Sequence, residues 1–87
     1  MALTLGKLIA AVDKLRPNVF TNDQKTQWVN DVEGDVWLNV LLLSPADLQP
    51  YNWETDQGAV LTVQSPFDGL YTYYLEAMIA YESEEDD

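Results

Sequence analysis

The chain contains no histidine and no cysteine. That removes Ser-His triads, cysteine nucleophiles, imidazole acid–base work and the usual zinc sites. The four glycines are scattered at positions 6, 34, 58 and 69, so no glycine-rich phosphate loop exists. What remains is carboxylate chemistry, and the candidate inside a predicted helix is "DVEGD" at 31–35. Asp31 and Asp35 are four apart and share one face of a helix, whereas Glu33 points elsewhere. Such a pair could hold a hard cation or divide acid and base roles. The string lacks the spacing of an EF-hand loop, and acids on the solvent side are what an amphipathic helix requires. The reading taken is therefore a polar outer face: no catalytic residue, no metal ligand and no cofactor site is expected.

Three helices are predicted to position these groups. The first covers about 4–16: Leu5, Leu8, Ile9, Val12 and Leu15 recur at helical spacing, Thr4 is a candidate N-cap, and Pro17 ends it. Gly6 in its first turn carries a small cost. The second covers about 22–42. Thr21 and Gln24 make a capping box, and the stripe is Trp28, Val29, Val32, Val36, Trp37, Val40 and Leu41. Gly34 interrupts it, marking a close helix approach, a kink or a tolerated exposed glycine. The third covers about 66–81, opened by Ser65 as cap and Pro66 as first residue, with the stripe Phe67, Leu70, Tyr71, Tyr74, Leu75, Met78 and Tyr81. A related start, "SPADL", opens only a single turn before Pro50.

Residues 65–81 hold five of the ten aromatics of the chain. Their period of three and four is that of a core wall more than of an exposed recognition stripe. Tyr73 lies off the stripe and is the aromatic expected to reach solvent or a partner. Between the second and third helices, about 51–64, the period changes to alternation and predicts a short β-hairpin or an extended segment, with Gly58 in the turn. The fold class is thus mainly α, a small three-helix bundle forming one domain over 1–82, followed by an acidic, frayed tail at 83–87. The predicted core comprises Leu8, Val12, Trp28, Val32, Trp37, Leu70, Tyr71, Tyr74 and Met78.

Charge narrows the function classes. Fifteen acids face four bases in 87 residues, a net charge of −11. All four bases, Lys7, Lys14, Arg16 and Lys25, lie in the first 25 positions, and 26–87 contains 13 acids and no base. Nucleic-acid binding needs Lys and Arg to displace phosphate counterions, and docking on an anionic membrane needs the same charge. Neither is expected. The longest dense apolar run, "VWLNVLLL" at 36–43, falls short of the roughly 20 residues that span a bilayer. The start lacks a charged n-region or cleavage site, so no signal peptide is expected, and the absence of cysteine fits an intracellular origin.

The order of motifs resembles a known family. "LGKLIAAVDKLRPNVFTNDQKTQWVNDVEGDVWLNVLLL", a polar and extended segment, and "LTVQSPFDGLYTYYLEAMIAYES" together look like the small head–tail connector (adaptor) proteins of tailed bacteriophages and prophages. The carrying residues are "LRPN" with Phe20, the helix start Lys25–Trp28, Gly34 in the second helix, and "PFDGLYTYYLEAMI". The resemblance covers most of the chain. It implies a mostly helical virion protein that forms a homo-oligomeric ring under the portal, contacts the portal and tail-side connector proteins, and lines part of the DNA exit channel. It implies no catalytic residue, no cofactor, no sequence-specific nucleic-acid recognition and no membrane. The implied location is the head–tail interface, and the host bacterial cytoplasm before assembly. An acidic wall suits a DNA channel, because it does not hold DNA back.

Within such a ring, Lys7, Lys14 and Arg16 of one subunit could meet Asp31 or Asp35 of the next, with Tyr73 as a further candidate contact. Two other classes stay open at this point. One is an acidic inhibitor imitating DNA, of the anti-restriction or immunity type, which requires its carboxylates in one extended stripe. The other is a small helical regulatory domain with a protein partner.

Overall fold

The computed structural model describes residues 2–85 and is mainly helical, with three helices and, among the described residues, no strand. Helix α1 spans Leu5–Leu15, α2 spans Asn22–Asp35 and α3 spans Gly69–Glu85. α2 packs on both α1 and α3, and α1 also packs on α3. This is the expected three-helix bundle.

The first two helices begin where their caps dictate. The Thr4 hydroxyl accepts from the Lys7 N–H at 3.3 Å, and the Thr21 hydroxyl accepts from the Gln24 N–H at 3.1 Å. Each satisfies one of the donors that a helix start leaves open. α1 ends at Leu15, with the Arg16 N–H still donating to the Val12 carbonyl and Pro17 following.

α2 departs from the expected helix at 22–42. Beyond Asp35 the chain widens into a π-helical turn, Val36–Val40, where the Leu41 N–H reaches back five residues to the Val36 carbonyl at 2.9 Å. Leu42 then takes a left-handed backbone, φ 57°. For a branched, bulky side chain that conformation costs on the order of 1–2 kcal/mol. The change of winding swings Leu38, Val40, Leu41, Leu42 and Leu43 out to solvent. Val40 and Leu41 thereby leave the stripe assigned to them. The open space around Gly34 rules out the close helix approach offered for it.

The close approach falls at Gly6 instead. A Cβ there would lie 3.0 Å from the Gln57 carbonyl oxygen, which accepts from the Gly6 N–H at 2.8 Å. Leu5 donates to Ala59 and Leu61 donates to Leu3, so 57–61 lies across the start of α1. These bonds replace the predicted hairpin. Thr4 and Val60 form an isolated antiparallel bridge, while 52–56 closes on itself through Asn52 and Asp56. The long-range partners for the backbone of 57–61 are Leu3, Leu5 and Gly6, not Tyr51–Trp53. The hairpin does not form, and the segment is mostly turns, extended only around the bridge at Val60.

α3 also starts late. The Ser65–Pro66 bond is cis, the Phe67 N–H donates to the Gln64 carbonyl in a turn, and the helix begins at Gly69. Ser65 and Pro66 are therefore not its cap and first residue. "SPADL" behaves as expected and makes one 3-10 turn, Pro45–Asp47. At the far end α3 stays helical through Glu85, where a frayed tail from 83 was expected. The last two residues of that tail lie outside the described ones.

The core contains Leu5, Leu8, Ile9 and Val12 of α1, Trp28, Val29 and Val32 of α2, then Val36, Leu61, Tyr71, Leu75 and Ile79. Of the predicted core, Leu8, Val12, Trp28, Val32 and Tyr71 are fully inside. Trp37, Leu70, Tyr74 and Met78 are only partly buried. The buried line of α3 is Tyr71–Leu75–Ile79, spaced by four. Phe67 precedes the helix and is exposed, as is Tyr81 at its other end. Leu15, assigned to the stripe of α1, is exposed too.

Candidate functional site: a buried carboxylate and an acidic groove

Glu33 does not lie on an outer face. Its side chain is fully buried. Oε1 accepts from the Tyr71 hydroxyl at 2.5 Å, and Oε2 accepts from the Tyr51 hydroxyl at 2.6 Å and the Thr62 N–H at 3.0 Å. The Tyr71 oxygen in turn accepts from the Val63 N–H at 2.8 Å. Burial, and then the hydrogen bond to Glu33, push both phenols well above the ordinary tyrosine value. Three polar donors from three parts of the chain thus converge on one carboxylate. Both oxygens are engaged and the side chain is fully buried, so these bonds serve to join parts of the fold.

Asn30 on the same helix and Trp37 in the π-helical turn after it continue this polar seam. The Asn30 side chain clamps the Tyr51 backbone, donating to its carbonyl at 3.1 Å and accepting from its N–H at 2.8 Å. The Trp37 indole N–H donates to the Thr62 hydroxyl at 3.2 Å. Asn30, Glu33 and Trp37 therefore hold the irregular segment 51–63 onto α2 by directional bonds. The sequence carried one hint of this: Glu33 sits four after Val29 and four before Trp37, on the apolar line of its helix.

An ion pair ties the first two helices together. Lys25 is buried, and its ammonium lies 2.6 Å from Asp13 Oδ1, a carboxylate still partly in water. The fourth base is thus spent inside the fold. The other three, Lys7, Lys14 and Arg16, are exposed on or just after α1.

The remaining predicted contact residues are exposed as well, and the fold gathers them. Asp35 and Tyr73 both line an open groove of about 730 Å³ between the end of α2, the π-helical turn and α3. Val32, Val36, Val40 and Leu70 form its apolar floor and walls. Asp31 stands close enough to act with Asp35 on the Tyr74 phenol, whose pKa is raised chiefly by burial and then by these two charges. Asp31, Asp35 and Tyr73 therefore belong to one surface, and Lys7, Lys14 and Arg16 to another. The groove itself was not anticipated, since it forms only where α3 meets the widened turn. Among the described residues, no group of three or more Asp or Glu side chains is placed to hold a metal ion, and no helix is long and apolar enough to cross a membrane.

Comparison of the chain with protein-family models, with curated proteins and with solved structures finds no match in any of the three.

Proposed function

We propose that the chain is a non-catalytic assembly protein, a head–tail connector subunit of a tailed bacteriophage or prophage that joins a ring beneath the portal. The observation that carries this reading is the apolar ridge that follows α2. Leu38, Val40, Leu41, Leu42 and Leu43 are 44–82% exposed in one short stretch. A monomer rarely presents so many large apolar side chains together unless a protein surface covers them. The ridge is also held up by a π-helical turn and a left-handed leucine, both costly features for a mere loop. The sequence resemblance supplies the particular assembly, and the ridge is the surface such an assembly would cover. The acidic-inhibitor reading finds less support. It needs an unbroken surface line of carboxylates, and Glu33, between Asp31 and Asp35 on α2, faces the core.

Mass spectrometry of purified particles, from the phage or induced lysogen that encodes the chain, tests this reading. The expected result is the protein at a fixed, low copy number beside the portal. Finding it in the lysate and never in particles would overturn the connector function.

A further inference from the structure

The groove and the basic surface are complementary in charge and in apolar content. The groove is lined by Asp35 and floored by valines and Leu70, and the exposed Asp31 stands one helical turn before Asp35 on the same face of α2. No Lys or Arg occurs from 26 to 87, and Lys25, near the start of α2, is buried against Asp13, so it leaves those acids without a basic neighbour in sequence. The opposite character is found at the end of α1. There Lys14 and Arg16 are exposed, and they flank Leu15, which is 66% exposed; Val19, four further on, is 96% exposed. The string "KLRPNV" thus presents two uncovered aliphatic side chains between and beside two cations.

One molecule cannot join these surfaces itself. The Asp13–Lys25 ion pair holds the end of α1 against the start of α2. The groove lies at the other end of α2, beyond Val32. At 1.5 Å per residue, the helix from Asn22 to Val36 separates them by about 20 Å.

We propose that the groove is filled by a second copy of this chain: Leu15 and Val19 seat on the apolar floor, and Lys14 and Arg16 pair with Asp31 and Asp35. Donor and acceptor are different surfaces, so the contact is head to tail, and it generates a ring when the rotation closes. The charges set register and encounter more than affinity, and the aliphatic pair supplies the burial. Two grooves meeting face to face would set Asp31 and Asp35 against their own copies, so like charges disfavour that pairing. This inference rests on the assembly reading and deepens it.

A charge-swap experiment with the full chain tests it. K14E/R16E and D31K/D35K change only exposed positions, and circular dichroism should show both folded as the parent. Sedimentation velocity between 10 μM and 1 mM at low salt should show the parent self-associating, tighter by about tenfold or more than either variant alone. An equimolar mixture of the two variants should recover association, since each then offers the charge the other lacks. Because the chain has no cysteine, a mixture of Leu15→Cys and Tyr73→Cys proteins should also give a 15–73 disulfide dimer on mild oxidation. A parent monomeric at 1 mM with no 15–73 cross-link overturns the contact, and so does association by each variant alone as strong as the parent's. Failure here, with the protein present in particles, leaves the connector reading standing and removes only this contact.

Discussion

The Tyr71 hydroxyl donates to Glu33 Oε1 across 2.5 Å, joining α3 to α2 through two side chains 38 positions apart. With Tyr51 and the Thr62 N–H on the other oxygen, the same carboxylate ties the irregular segment to both helices. A buried charge is expensive unless hydrogen bonds replace its water, and here they do so from three sides. The carboxylate therefore organises the bundle around a polar point.

Replacing Glu33 separates shape from hydrogen bonding. Glu33→Leu leaves two phenols and one backbone N–H without their acceptor and should cost about 3–5 kcal/mol. A domain of this size is stable by only about 5–10 kcal/mol, so that variant should stand near unfolding. Glu33→Gln keeps one acceptor oxygen and the shape, and should cost about 1–2 kcal/mol. Urea midpoints measure both. Equal midpoints for Leu and Gln would mean that the site acts by packing alone.

The same phenols predict a dependence on alkaline pH. In the unfolded chain a tyrosine ionises near pH 10, whereas Tyr51 and Tyr71 in the fold ionise well above it. A raised folded pKa gives stabilisation that is complete below pH 10 and is lost as the pH climbs past it. Melting temperature should therefore fall steeply above pH 10. The fall should be shallower in a Tyr51→Phe/Tyr71→Phe protein, with Tyr74 sustaining the residue of it. Melts recorded from pH 8 to 11 check the slope, and an unchanged slope in the double variant would count against this origin.

Much of this was readable in the chain, and the limit of reading follows physical range. The Thr4 and Thr21 caps were legible because a hydroxyl and an N–H three residues on form a local contact. The lines Leu8–Val12 and Tyr71–Leu75 were legible for the same reason, as periodicity. Glu33 was misread because its partners lie 18, 29 and 38 positions away, and nothing beside it announces them. The two S-P-x-D strings look alike and act differently: one makes a 3-10 turn, and the other precedes a helix that waits for Gly69. "VWLNVLLL" is apolar in every direction, so its pattern could not tell a core stripe from a widened turn that faces water. Asp35 and Tyr73 were each placed outside correctly, but their shared groove depends on how α3 crosses α2.

The glycines invert the usual propensity argument. Gly34 sits in α2 with open space where a Cβ would go, so Gly34→Ala should stabilise by up to about 1 kcal/mol through helix propensity. Gly6 has the same nominal gain on offer. There the new Cβ would press at 3.0 Å on the Gln57 carbonyl, which is held in place by the Gly6 N–H. Gly6→Ala should therefore destabilise, by about 1 kcal/mol or more, as overpacking against a fixed group does. Thermal melts of the two single variants should move in opposite directions. Parallel gains would show that 57–61 yields easily and does not brace the start of α1.

The Lys25–Asp13 pair predicts an asymmetry between its two ends. Asp13→Ala strands a buried ammonium, and hydrogen bonds to charged groups are worth about 1.5–3 kcal/mol, so a loss of about 2 kcal/mol is expected. Part of that loss belongs to Asn18, whose amide also donates to Asp13 at 3.0 Å. Asn18→Ala measures this part separately. Lys25→Met removes the buried charge and keeps an apolar stem of similar length. What it gives up in Coulomb attraction it recovers in desolvation, so its cost should stay within about 1 kcal/mol. Asp13 then faces water, in which it already partly stands. Urea denaturation of the three variants decides the matter. A Lys25→Met loss as large as that of Asp13→Ala would mean that the attraction itself, and not the relief of a stranded charge, holds the end of α1 to the start of α2.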